Sequence, residues 1–277
     1  MRLGVDLGGT KIEVAVLDRE GRVALRRRAP TPHGSYGEAL QLLAELVREV
    51  ESEAGERCSV GIGLPGFLSA AGLVRNAYNT PLNDRPLKRD LEAALARELR
   101  FANDANCFAL SEAADGAARG ARVVFGAILG TGAGGGMVVD GRIPGGHEAI
   151  GAEWGHNPLP WMRPEEYPGP ACYCGRAGCI EQFVSGAALQ RDPVAPKLHA
   201  DRLARALAHV VNLLGPDVIV LGGGVSNVES LYSMVPPLIA RYVYRKEIET
   251  PLRRAAHGDA SGVRGAAMLW DPGAQAP

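Results

Sequence analysis

Apolar and polar residues alternate from the start of the chain. Leu3, Val5 and Leu7 fall on every second position, and beyond Gly8 and Gly9 the residues Ile12, Val14 and Val16 do the same, with Glu13 and Ala15 between them. A period of two is that of a strand, so the pattern predicts a hairpin turned at the glycines, followed by a further strand. From about Glu38 to Ala54 the period lengthens, and Leu40, Leu43, Ala44 and Val47 share one face of a predicted helix. VGIGLPG reads as the next strand and about Leu87 to Arg97 as a second helix. The short apolar pair Leu99 and Phe101 then leads into NDAN, residues 103 to 106, where a strand hands over to a helix that Asn103 or Asp104 can cap.

The second half starts the same way. VVFGAILGTGAGGGMVVDG, residues 123 to 141, reads as apolar strand, Gly-Thr turn and apolar strand, with a further turn at Asp140-Gly141. Later come a helix from about Asp201 to Leu214, the strand VIVLGGG, and helices at about 228 to 240 and 262 to 270. Two such hairpins, one in each half, predict an α/β protein of two related domains, 1–110 and 111–277. The last helix is able to pack back on the first domain.

Charge narrows the function classes. Lys plus Arg (30) and Asp plus Glu (31) nearly cancel over the 277 residues, which leaves no basic footprint for nucleic acid. The run Arg26 to Arg28 reads as a solvated strand end. Asp6 and Lys11 interrupt the N-terminus before a signal-peptide core can form, and Val123 to Val139, the longest uncharged run, is too short for a membrane span and contains six glycines. With five cysteines, three of them clustered, the chain reads as a cytoplasmic metal binder rather than a disulfide scaffold.

GVDLGGTK, residues 4 to 11, is a phosphate-binding P-loop with its last two letters exchanged. A strand follows it instead of a helix, so it is either an ordinary glycine hairpin or a hairpin nest whose amides hold phosphate. In the second case Gly8 and Gly9 supply positive φ or close approach, and Asp6 lies near a phosphate-bound Mg²⁺. Gly130-x-Gly132-x-x-Gly135 matches the dinucleotide fingerprint, but the strand MVV follows it, which excludes that site. Gly222, Gly223 and Gly224 end a buried strand and suit close approach to a nucleotide. His156 with Cys172, Cys174 and Cys179 offers one nitrogen and three sulfurs, the ligand set of a structural zinc site; the alternatives are a reduced thiol cluster or a labile disulfide. Cys58 and Cys107 read as core.

DLGGTK, GLPG, NDANC, LGTGAGGG, GAEWGHNPLPW, CYCGRAGCIE, VIVLGGG and SGVRGAA together resemble the ROK family of sugar kinases and repressors, from Arg2 to about Trp270. HNPLPW and CYCGRAGCIE resemble its fructokinase and mannokinase branch. The resemblance implies the fold of actin, the 70-kDa heat-shock chaperones and hexokinase: two α/β domains around a central cleft that holds ATP and sugar. It implies that the turns at Gly8, Gly9, Thr10 and Lys11 and at Gly130, Thr131 and Gly132 hold ATP phosphates, and that Asp104 is the catalytic base. Asn103, Glu153, His156 and Glu181 are implied to bind sugar hydroxyls, with Asn79 a looser match. One His156 nitrogen would then bind zinc and the other would donate toward the sugar. The bland alternatives are a helix cap for Asn103 and Asp104 and surface carboxylates for Glu153 and Glu181.

These readings lead to an expected ATP-dependent hexose 6-kinase, a cytoplasmic homodimer preferring fructose with mannose and glucose overlap. The alternatives are an N-acetylhexosamine kinase and an inactive sugar or nucleotide sensor related to the repressors. A first strand at Arg2 leaves no room for a repressor's helix-turn-helix within this sequence. The chain also departs from the family pattern: it reaches Asp201 soon after SGAAL, SGAA replaces a glycine-containing SG-x-G, and GAE inverts AGE. These changes fall on the rim of the sugar pocket and the subunit contact.

Overall fold

The computed structural model describes residues 1–78, 80–145, 153–245, 249–272 and 274. Two compact units divide the chain: Met1–Ser111 with Gly141–Gly151 and Ala260–Pro277, and Glu112–Asp140 with Ala152–Asp259. The sequence reading drew one contiguous boundary at 110/111. Among the described residues no helix is long and apolar enough to cross a membrane.

In the first unit, β1 (Arg2–Leu7), β2 (Lys11–Leu17) and β3 (Val23–Pro30) form an antiparallel meander, while β4 (Ser59–Leu64) and β7 (Arg100–Asn103) extend the sheet in parallel from β1, giving the order β3-β2-β1-β4-β7. A small hairpin, β5 (Phe67–Leu68) and β6 (Val74–Arg75), follows β4. Helix α1 (Tyr36–Ala54) starts earlier than its apolar face suggests. Ser35 accepts from the Glu38 amide at 3.2 Å and Glu38 returns a bond to the Ser35 amide at 3.0 Å, a reciprocal cap. Helix α2 (Leu87–Leu95) stops where Ala96 turns left-handed, and β7 runs directly into α3 (Asp104–Ala114). Leu43, Val47 and Val50 of α1 join Leu3, Val5, Val14 and Ile62 of the sheet in one core. The last helix, Ser261–Met268, lies on β1 and β4. Only glycine allows this contact, because a Cβ on Gly4 or Gly61 would stand 1.9 Å from the carbonyl oxygens of Val263 and Ala266.

The second unit holds β8 (Val123–Leu129) and β9 (Ala133–Val139) as an antiparallel hairpin, with β10 (Val218–Gly222) and β11 (Leu252–Arg254) parallel to β8, in the order β11-β10-β8-β9. Gly135 lies within β9, so no helix follows the dinucleotide-like glycines. Short helices α4 (Glu181–Val184) and α5 (Gly186–Arg191) precede α6 (Pro196–Leu214), α7 is Ser230–Ile239, and Ser261–Met268 is α8. Helix α6 begins before the expected Asp201 because Pro196 occupies its first turn, where a missing N–H costs nothing.

A buried ionic cluster ties the segment before the cysteines to α6. Glu166 accepts from Arg205 at 2.7 and 2.8 Å and from Arg202 at 2.9 Å, while Asp201 accepts from Arg163 and from the Tyr242 hydroxyl, each at 2.8 Å. Burial alone would raise the Glu166 pKa, but the bonds from Arg205, the Arg163 amide and Arg202 outweigh it and hold the carboxyl at about 2. A carboxyl with a folded pKa below its unfolded value of about 4.3 contributes stability above that pH, and loses it as pH falls toward the folded value. Glu166→Gln is therefore expected to cost roughly 3 kcal/mol at pH 7, the lower end for breaking a buried pair, since Arg205 loses the carboxylate that bonds both its terminal nitrogens and keeps as counter-charge the Asp201 carboxylate, 3.1 Å from its Nε. The difference from the parent should shrink as pH is lowered from about 4.3 toward 2, which denaturant melts across that range would measure.

Candidate functional site

In the first unit the candidate residues gather at the carboxyl ends of the parallel strands, where open α/β sheets bind ligands. Asp6 pairs in register with Gly63 of β4, and Leu64 pairs with Asn103 of β7. The glycine turn is built without left-handed residues: the positive-φ glycines of this unit include Gly21, Gly55, Gly66 and Gly72, but neither Gly8 nor Gly9. Closure comes instead from the Gly8 amide donating to the Lys11 carbonyl at 2.9 Å. Thr31 completes it, with its hydroxyl donating to the Gly8 carbonyl at 2.6 Å and its amide to Thr10 at 3.0 Å. Thr31 carries no motif and could be found only through its register beside the turn.

Asp6 is half-buried at the start of α8, so close that a Cβ on Gly262 would meet its Oδ2 at 2.7 Å. Burial first, then the nearby Glu13, raise its pKa to about 6 against the pull of Lys11. Lys11 and the basic strand end are not simply solvated. Glu13 is buried on β2 and binds Arg26 Nε at 2.5 Å, Arg28 Nε at 2.6 Å and, more loosely, Lys11 Nζ at 3.7 Å. Cys107 is indeed core, and burial, with Asp6 and Asp104 nearby, pushes its thiol well up.

Asn103 does cap a helix: its Oδ1 accepts from the amides of Ala105 at 2.9 Å and Asn106 at 3.3 Å, while its Nδ2 donates to the Gly66 carbonyl at 3.1 Å. Asp104 is the first residue of α3, where a carboxylate suits the helix end, and accepts from Ala105 at 2.8 Å. Beside Asn103 opens a cavity of about 180 Å³ walled by Leu64, Phe67, Leu68, Phe101 and Ile143. Asn79 lies outside the described residues.

In the second unit the glycine turn Gly130-Thr131-Gly132 and the end of β10 meet. Gly223, at φ 77°, sits so close to β8 that a Cβ would be 2.5 Å from the Leu129 carbonyl, and the Gly186 amide donates to Gly130 at 2.7 Å. Gly223 is thus explained by packing on β8. The open faces belong to Gly130 and Gly224, where a Cβ would meet nothing within 4 Å.

The EWGH turn and α4 are mounted on this hairpin. Trp154 donates from its indole to the Gly134 carbonyl at 2.7 Å and meets Phe125 edge-on at 5.6 Å. Gly155 presses against Ala133, and Glu181, buried at the start of α4, accepts from the Ala133 amide at 3.0 Å. Glu181 is therefore no surface carboxylate. Glu153 is solvent-accessible, yet its pKa is raised, first by the protein packed around the carboxyl and also by Glu181, against the pull of His156.

The donor atoms of His156, Cys172, Cys174 and Cys179 all lie within 4.8 Å of one another. His156 Nδ1 is 3.6 Å from Cys172 Sγ, and Cys174 Sγ is 3.6 Å from Cys179 Sγ. Zn–S bonds of about 2.3 Å in a tetrahedron put the sulfurs roughly 3.8 Å apart, so the set fits zinc by donor type and by spacing. All three are free thiols. The other His156 nitrogen, Nε2, has a protein partner that the sequence did not suggest, the Tyr173 hydroxyl at 2.9 Å. Tyr173 went unread because only the cysteines of CYCGRAGC carry a recognisable ligand pattern.

A family model described as the ROK family matches residues 2–199 and 193–272. The chain belongs to the ROK family. N-acetyl-D-glucosamine kinases of Salmonella typhimurium and Pectobacterium atrosepticum are each 38% identical over 299 aligned residues, spanning 97% of this chain and 99% and 98% of theirs. That alignment exceeds the chain's 277 residues, so these ROK relatives carry segments it lacks. Among solved structures, the ROK hexokinase of Thermus thermophilus is 36% identical with a TM-score of 0.83, covering 96% of both chains. The ROK glucokinase of Streptomyces griseus, solved with glucose and AMPPNP, is 27% identical with a TM-score of 0.81, covering 97% of this chain and 98% of its own. The α/β architecture described above is thus that of the ROK hexokinases and glucokinases, the actin-like two-domain fold.

Metal analysis of the purified ROK protein should find about one zinc ion per chain. Cys174→Ser should lower both zinc content and melting temperature, because a metal held by a closed structural site contributes directly to local folding. Full zinc retention with unchanged melting would reject the site.

Proposed function

We propose that the protein is an ATP-dependent sugar kinase that phosphorylates N-acetylglucosamine on its 6-hydroxyl. Similarity to N-acetyl-D-glucosamine kinases along 97% of the chain carries the reading. The pocket beside Asn103, which Asn106 also lines, supports it, since Leu64, Phe67, Leu68, Phe101 and Ile143 give it apolar walls that suit a methyl-bearing substituent. The fructose preference expected from HNPLPW and CYCGRAGCIE gives way, because those relatives act on an N-acetylated amino sugar. Glucose is kept as a secondary acceptor on the strength of the 36% identical Thermus hexokinase.

In this reading the Asp104 carboxylate accepts the proton of the 6-hydroxyl as that oxygen attacks the γ-phosphorus, and ADP leaves. Asn103, Glu153, His156 and Glu181 hold the remaining hydroxyls, and the rigid mounting of Glu181 on the Ala133 amide fixes where its carboxylate can reach. The turn amides of Gly8 to Lys11, Gly130 to Gly132 and Gly222 to Gly224 orient phosphates. Asp6, beside the first of these turns, is the hard oxygen donor suited to the Mg²⁺ that accompanies ATP and neutralises its charge. Zinc, held by His156 and the three cysteines, has a structural part.

Two measurements test this. Asp104→Asn should keep the fold and sugar binding while kcat falls by about 10² to 10⁴, the usual size of a general-base contribution. Near-normal turnover would remove Asp104 from the role. In a coupled ADP-release assay, kcat/KM should be highest for N-acetylglucosamine among N-acetylglucosamine, N-acetylmannosamine, glucose, mannose and fructose. A tenfold preference for fructose, a difference of about 1.4 kcal/mol in transition-state binding, would overturn the acceptor while leaving the kinase; no ADP release with any sugar would favour a sensor.

A further inference from the structure

Pro30 ends β3 and Pro32 comes two residues later, so Thr31 stands between two prolines. Proline fixes its own φ, and a residue before proline is confined to extended backbone, which gives Thr31 a stiff mount. Register brings that mount to the GGTK turn, because Lys11 pairs with Pro30 across β2 and β3. Thr31 is only 4% exposed. Its hydroxyl donates to the Gly8 carbonyl at 2.6 Å, while its amide donates to the Thr10 carbonyl at 3.0 Å. In a two-residue hairpin the Gly8 carbonyl would ordinarily take the Lys11 amide, answering the bond that the Gly8 amide makes to the Lys11 carbonyl. Among the described residues that return bond is not formed, and Thr31 holds the carbonyl instead.

We propose that Thr31 is a positioning residue for nucleotide: by holding the Gly8 and Thr10 carbonyls back, it turns the amides of Gly9 and Lys11 toward a bound phosphate. That phosphate is the one the proposed kinase function brings to this turn, and the role rests on that reading. A trans peptide is planar, and its carbonyl and amide point in opposite directions. Each carbonyl drawn toward Thr31 therefore sends the amide of the following residue to the far side. A nest ordinarily aims its amides through a left-handed residue, but neither Gly8 nor Gly9 has positive φ. Two bonds from one residue replace that device. Without the hydroxyl, the Gly8 carbonyl is free to swing onto the Lys11 amide, and the turn closes on itself as an ordinary hairpin.

Thr31→Val keeps the branched shape and the amide bond to Thr10 and deletes the hydroxyl, whereas Thr31→Ser keeps the hydroxyl. Calorimetric titration with Mg²⁺ and a non-hydrolysable ATP analogue should show Thr31→Val binding about tenfold more weakly than the parent, the size of one lost hydrogen bond to a buried acceptor, and Thr31→Ser within about twofold of it. In nitrogen-15 spectra of the parent, the Gly9 and Lys11 amide signals should move when the analogue is added, and in Thr31→Val those shifts should shrink. Parent-like affinity in Thr31→Val, or Thr31→Ser binding as weakly as Thr31→Val, would overturn the proposal. If Thr31→Val does not fold, the parent decides: Gly9 and Lys11 signals left unmoved by bound analogue overturn it. A parent that binds no analogue at all overturns the kinase reading and the proposal with it, an outcome distinct from parent-like binding by Thr31→Val.

Discussion

Both polar atoms of one peptide residue, Ala133, are committed to packing. Its N–H donates to Glu181 Oε2 at 3.0 Å, and its carbonyl oxygen lies where a Cβ on Gly155 would stand 1.8 Å away. Through the first contact α4 is pinned to the β8–β9 turn, and through the second the EWGH turn is pinned to the same residue. Glu153 and His156 lie within two residues of Gly155, and the cysteine loop closes on His156. The candidate phosphate turn, sugar-facing groups and metal ligands of this unit are therefore spaced by packing of a few ångströms around a single strand end. Gly132 belongs to the same arrangement, since a Cβ there would collide with Glu181 Oε2 at 2.5 Å. Gly155 meets backbone and is required for reasons of volume, whereas a side chain at Gly132 would push the Glu181 carboxylate off the Ala133 amide, whatever else these positions bind.

Much of this was legible in the residues, and the reason is locality. The hairpins at 1–17 and 123–139 follow from a two-residue period, and α1 follows from its face, because each pattern is satisfied within a dozen residues. His156 and the three cysteines could be grouped because thiols and imidazole have few other uses in such a cluster. What was not legible depends on partners distant in sequence. Glu166 looks like a surface residue in RPEEY and becomes buried only because Arg205, 39 residues on, meets it. Arg26 and Arg28 read as solvated until Glu13 is seen beneath them. Thr31 and Tyr173 belong to no motif, and each matters through one hydroxyl.

The acceptor sugar is less legible for a different physical reason. Fructose, glucose and N-acetylglucosamine differ in a few substituents, and a site discriminates among them through the shape and pairing of its walls. Phe67, Leu68, Phe101 and Ile143 wall the cavity beside Asn103, yet they come from separate strands and a loop, and none carries a functional group to mark it. Short polar motifs report which groups a site contains and say little about the volume left between them.

Glu13 shares its two oxygens unequally. Arg26 Nε holds Oε1 at 2.5 Å and Arg28 Nε holds Oε2 at 2.6 Å, while Lys11 stands off at 3.7 Å with about half of its side chain in solvent. Swinging Lys11 away leaves both oxygens of the buried carboxylate paired, so the excursion strands no charge in the interior. The ammonium at the end of the GGTK turn is thus a tethered cation on a short leash, free to follow an arriving anion within the reach of its four-carbon stem, while the guanidinium groups keep the carboxylate beneath it paired and in place.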